Sequence, residues 1–196
     1  MAPFIVGVMT MLSTLTPLCL KPKADRRLRA GHPWIYSNEI DVEKTPLKQY
    51  QPGQQVLLEN AQGKPMGIAY VNPNSLICAR LISRDIKYPL DKSLLVHRLN
   101  IALALREQFS ASRCYRLVYG DSDWLSGLVV DRFDDIVAVQ IATAGMEAVK
   151  DQIRNRVVGF GWKDLHHPWS KDGYEYTAEE LFEHLLTKIV PNLSYH

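Results

Sequence analysis

The residues best suited to chemistry lie between Lys21 and Asn38. Five cations (Lys21, Lys23, Arg26, Arg27, Arg29) stand beside a single acid, Asp25, and are followed at once by His32, Trp34, Tyr36 and Asn38. That short stretch carries +4, against +2 for the whole chain, so the rest of the chain carries −2. Cations pair with phosphates, and aromatic faces stack on unpaired bases. Their interleaving is what single-stranded or irregular RNA requires. The alternative is a structural role, with Trp34 and Tyr36 in a β core and the arginines on a solvated helix face.

Other chemistries find less support. Cys19, Cys78 and Cys114 are far apart and form no CxxC pair; they read as reduced thiols of a cytosolic protein, with Cys78 and Cys114 inside strands as small buried apolar groups rather than nucleophiles. Asp164, His166, His167, Asp172 and His184 have no standard zinc-ligand spacing, so no metal site is expected. The run from Val157 to Gly161 has the look of a strand entering a G-x-G loop, but His166-His167-Pro168 follows where a helix should.

The elements that must position the basic stretch follow from periodicity and turn chemistry in the 196 residues. Residues 18–20, 34–36, 55–58, 67–71 and 76–82 read as short strands, 24–30 as a short basic helix, and Pro52-Gly53, 61–63 and 72–75 as turns, together a small β-barrel. After residue 86 the period changes. Asp91 is the expected N-cap of a helix carrying Leu95, Leu99, Ala102, Leu105 and Phe109 on one face. Strands at 115–119, 127–131 and 136–142 follow, the last two a hairpin reversing near Asp134-Asp135, and then a helix with Met146, Val149, Ile153 and Val157 on one face. Thr177-Ala178-Glu179-Glu180 is a capping box for an amphipathic helix through Val190. The expected fold class is α+β: a 1–17 extension, a β-barrel domain at 18–86, a compact strand-helix-hairpin domain at 87–158, and a 159–196 tail with one helix. The first twenty residues are broken by Pro3 and Pro17 and lack a basic lead and a long apolar core, so neither a signal peptide nor a membrane span is expected.

The run from Leu20 to Ile40 (LKPKADRRLRAGHPWIYSNEI), with Pro52-Gly53, residues 67–75 (GIAYVNPNS) and 80–83 (RLIS), resembles the N-terminal PUA domain of bacterial S-adenosylmethionine-dependent 23S rRNA cytosine-C5 methyltransferases. Residues 115–118 (YRLV), 120–123 (GDSD) and 126–133 (SGLVVDRF) resemble that family's central domain, with Asp121 and Ser126 where Glu and Pro are usual. The resemblance implies an RNA-binding, substrate-recognition chain acting on 23S rRNA in the cytoplasm. In it Lys21, Lys23, Arg26, Arg27 and Arg29 contact phosphates, and His32, Trp34 and Asn38 shape the RNA-facing surface.

The family's glycine-rich cofactor loop, Pro-Pro loop and catalytic cysteine have no counterpart in this sequence. The expectation is therefore a chain truncated before the catalytic domain, inactive alone, with no catalytic residue and no S-adenosylmethionine site of its own, and a tail foreign to the family. Two alternatives stay open: a recognition subunit of a methyltransferase completed in trans, and a non-functional gene remnant. A homodimer also stays open, and no membrane partner is expected.

Overall fold

The computed structural model describes residues 15–160 and 163–165, which fold as α+β with two sheets and four helices among the described residues. Strands β1 (Thr16–Cys19), β2 (Trp34–Tyr36), β3 (Gln55–Glu59), β4 (Pro65–Val71) and β5 (Ile77–Ser83) form the first sheet, in the order β1-β3-β4-β5-β2. Only β1 and β3 run parallel. This sheet stands where the sequence predicts a small β-barrel, and no ladder joins β1 to β2 among the described residues. Its two ends meet through a single antiparallel bridge, Leu20 to Ile40, flanked by the bonds Lys21 N–H to Glu39 O and Asp41 N–H to Cys19 O, both 2.9 Å. β2 itself ladders against β5 alone.

The continuous apolar run in β4 has a physical reason. Ala69 and Val71 face a core shared with Leu18, Leu28, Ile35 and Val56, whereas Tyr70 between them faces a second core, and on β5 Leu81 and Ile82 divide in the same way. A strand buried on both faces reads as unbroken hydrophobicity instead of alternation. Gly145 completes this seam, since a Cβ there would lie 2.2 Å from the Tyr70 ring.

The second core lies under β6 (Cys114–Tyr119), β7 (Leu128–Phe133), β8 (Ile136–Ile141) and β9 (Lys163–Leu165), in that order, with β9 parallel to β8. The β7–β8 hairpin turns at Asp134, whose φ of 59° is left-handed. Besides the short basic helix α1 (Asp25–Arg29), the helices are α2 (Lys92–Phe109), α3 (Ala144–Glu147) and α4 (Lys150–Val158).

Asp91 caps α2 as expected, its Oδ1 accepting from Leu94 N–H at 2.9 Å. Leu95, Leu99 and Ala102 are buried, but Leu105 is 42% and Phe109 81% exposed. At 3.6 residues per turn Leu105 points about 90° away from the buried three. The inward position of that turn belongs to Arg106, which reaches Asp123 at 2.8 Å.

The expected second helix is broken into α3 and α4 at Ala148-Val149, yet Met146, Val149, Ile153 and Val157 are all buried. Strand β9 is an addition to the sequence reading. The helix expected at 177–190 lies outside the described residues.

Candidate nucleic-acid interface

Helix α1 is only five residues long and has no side-chain N-cap, so its stability comes from packing, with Leu28 2% exposed in the first core. Lys23 enters it at φ 66° and Gly31 leaves it at φ 108°, a backbone angle that glycine adopts without steric cost. The bonds Gly31 N–H to Leu28 O and His32 N–H to Arg27 O, both 3.1 Å, fold the chain back toward β2. With Leu28 inward, the arginines must point outward.

The five cations then separate into two kinds. Arg29 pairs with Asp25, at 2.7 and 2.8 Å from its two donating nitrogens. Arg27 lies 3.5 Å from Glu39 and 4.8 Å from the centre of the Tyr36 ring. Glu39 is itself held by Tyr36 N–H at 2.8 Å, so Arg27 belongs to a small network that fixes the end of β2. Lys21, Lys23 and Arg26 are exposed and have no carboxylate partner among the described residues. His32 and Asn38 are exposed nearby. Trp34 is 36% exposed, and its indole Nε1 donates to Asp121 Oδ2 at 2.8 Å.

That tryptophan bond is one of several joining the two sheets. The buried Tyr70 hydroxyl donates to Ser126 O at 2.8 Å and lies 3.0 Å from Thr143 Oγ1. Asp121 and Ser126 are therefore both contact points with the first sheet. Arg98, on α2, donates to Ile82 O at the end of β5 and to Trp124 O. Burial lowers the Arg98 guanidinium to about 10, still fully charged at neutral pH.

Around this seam lies a cleft of about 820 Å³ that sequence reading missed. Its walls come from three separate segments: Arg84 and Tyr88 after β5, His97, Arg98 and Ile101 on α2, and Trp124 in the turn after β6. Nothing in the spacing of these three segments marks them as neighbours.

The cysteines separate as well. Cys19 and Cys78 are buried, and burial pushes the Cys78 thiol up to about 12 and the Cys19 thiol upward, with Glu59 adding to the latter. Both thiols are protonated at neutral pH. Cys114, expected to be buried, is exposed, because it is the first residue of β6. The 157–161 run is not a strand entering a loop: Val157 and Val158 end helix α4 and Gly159 caps it. Residues His166, His167, Asp172 and His184 lie outside the described residues. Among the described residues no helix is long and apolar enough to cross a membrane.

Residues 18–84 match the family described as PUA-like domain. Ribosomal RNA large subunit methyltransferase I of Aliivibrio fischeri (strain MJ11) is 34% identical over 139 residues, covering 68% of this chain and 34% of that protein. The chain is a homologue of that methyltransferase. The enzyme of the same name from Pseudoalteromonas translucida is 32% identical over 139 residues, again covering 68% of this chain and 34% of the relative. The chain thus spans about a third of the length of the methyltransferase I proteins it matches.

The same fold occurs in a Streptococcus mutans protein of solved structure, assigned as a SAM-dependent methyltransferase, with TM-score 0.63 and 19% identity over 82% of this chain and 45% of that one. It also occurs in SMU.776, crystallised with SAH, with TM-score 0.62 and 21% identity over 72% of this chain and 36% of that one. A homodimer finds no support in the fold or in these likenesses.

Proposed function

We propose that the chain binds structured large-subunit ribosomal RNA in the cytoplasm and performs the substrate-recognition part of a SAM-dependent cytosine-C5 methylation, with residues 18–86 as the first RNA-binding domain and 87–158 as the second. The observation that carries this reading is the set of three uncompensated cations, Lys21, Lys23 and Arg26, on a helix and loop anchored by buried Leu28 beside exposed Trp34. A surface of this kind attracts phosphates and weakens with salt as counterions return. The name of the homologous methyltransferases supports ribosomal RNA as the ligand.

In this reading Lys21, Lys23 and Arg26 contact phosphates directly. Arg27 and Arg29 reach a phosphate only by giving up Glu39 and Asp25. His32, Trp34 and Asn38 line the surface, with Trp34 held in place by Asp121.

In this reading no S-adenosylmethionine site is assigned to the described residues. β5 leaves into residues 84–90, β8 passes through Ala142-Thr143 straight into α3, and Gly159 closes a helix, so at none of these three places does a strand enter a glycine-rich loop. The chain's contribution is recognition, and no methyl-transfer step is assigned to its residues. Titrating a 23S rRNA transcript tests the proposal: binding that weakens steeply with salt is expected, and no binding at 50 mM salt would overturn it.

A further inference from the structure

We propose that the cleft beside the basic surface takes an unpaired nucleotide of the RNA, with its base against Tyr88 and Trp124 and its phosphate beside Arg84. This rests on the RNA-binding reading above and assigns that surface a second, structurally distinct subsite. The cleft's volume of about 820 Å³ falls within the range of roughly 300–1,000 Å³ common for small-ligand sites. Its rim holds two large exposed aromatics, Tyr88 at 55% and Trp124 at 44%.

The charge of the cleft points the same way. Asp123 is its one carboxylate, and that group is occupied by Arg106 Nη2 at 2.8 and 2.9 Å and by Tyr119 N–H at 2.6 Å. Arg84 and Arg98 have no carboxylate partner among the described residues. The guanidinium of Arg84 lies 5.9 Å from the centre of the Trp124 ring. Two uncompensated cations beside stacking faces match an anionic backbone bearing an unstacked base. An apolar peptide would leave those charges desolvated and unpaired.

Trp124 adds a second observation. It sits at φ 59°, a left-handed conformation that is a true outlier for a bulky side chain, and the indole is not buried in return. Arg98 holds its carbonyl, so the strained residue is fixed at the rim.

Two hydrogen bonds tie the walls of the cleft to the segment that carries the basic surface. Arg84 Nη2 donates to Leu28 O in α1, and Trp34 bonds Asp121, three residues before Trp124.

The test uses the full chain with tiled 23S rRNA hairpins, the tightest-binding one then carrying 2-aminopurine at an unpaired loop position, and a fully paired RNA duplex of equal length as the comparison. Wild-type protein should quench the loop fluorophore. Tyr88→Ala and Trp124→Gly should each weaken hairpin binding about fivefold or more and abolish the quench, while changing duplex binding less than twofold. Glycine adopts the left-handed angle freely, so Trp124→Gly should keep the wild-type thermal midpoint, which separates lost stacking from lost fold.

The triple variant Lys21→Ala/Lys23→Ala/Arg26→Ala should weaken hairpin and duplex alike. Equal losses on hairpin and duplex in the aromatic variants would overturn the cleft assignment. So would an undiminished quench, which would leave the cleft to a protein partner. A wild-type protein that binds neither RNA would instead overturn the RNA-binding reading itself, and the cleft assignment with it.

Discussion

Replacing Lys21, Lys23 and Arg26 together by alanine should change not only the affinity for 23S rRNA but its dependence on salt. Each phosphate contact contributes about 0.7–0.9 to the slope of log K against log salt, so three lost contacts lower that slope by roughly 2–3. Over a fourfold rise, from about 50 to 200 mM, the advantage of wild type over the variant should shrink roughly 20- to 40-fold. The matched control is Arg27→Ala/Arg29→Ala. These two side chains are committed to Glu39 and Asp25, so their removal should lower the slope by less than about 1. Filter binding or fluorescence anisotropy across four salt concentrations gives both slopes. If the two variants lower the slope per cation equally, the division into free and committed cations is wrong, and the ion pairs in this structure do not govern which groups meet phosphate.

The seam between the sheets gives a stability prediction. Tyr70→Phe removes the hydroxyl bonded to Ser126 O and beside Thr143, which should cost about 1–2 kcal/mol, read as a lower urea midpoint at unchanged m-value. Gly145→Ala should destabilise by about 1–3 kcal/mol, since its Cβ would fall 2.2 Å from the Tyr70 ring; no loss in the same urea assay would contradict the close approach. Among Cys19, Cys78 and Cys114, native protein should titrate Cys114 readily with a thiol reagent and the other two only after unfolding, as peptide mapping of the labelled sites would record. Because burial raises the Cys78 thiol from 9.0 to about 12, the folded state favours the protonated form. Its contribution to stability is complete below pH 9 and declines as pH rises from 9 toward 12. Cys78→Ala should flatten the alkaline fall in unfolding free energy, and an unchanged profile would show that the thiol is not the group responsible.

Features governed by local rules were legible in the sequence. Asp91 caps its helix because a short acceptor before an amphipathic run has few other uses, and the hairpin at Asp134 follows from turn chemistry between two apolar strands. The strands around 55–82 were found by composition, although the reason β4 is apolar on both faces, its position between two cores, was not readable. Leu105 and Phe109 show where periodicity fails: a helix can keep its apolar spacing after its face has turned away from the sheet or run past it.

The basic stretch was visible as a charge run, but its division was not. Arg27 depends on a Glu twelve residues later, and Trp34 bonds a carboxylate 87 residues away. The cleft was least legible, because Tyr88, Arg98 and Trp124 become neighbours only when two sheets and a helix are assembled.

Crosslinking 4-thiouridine-substituted 23S rRNA to the wild-type chain, followed by mapping of the crosslinked peptides, tests the central claim most directly. Crosslinks are expected in the segment from Lys21 to Asn38, and they should disappear when salt is raised before irradiation. Crosslinks confined to other segments, or none in a mixture where binding is otherwise measurable, would contradict the assignment of this surface to RNA.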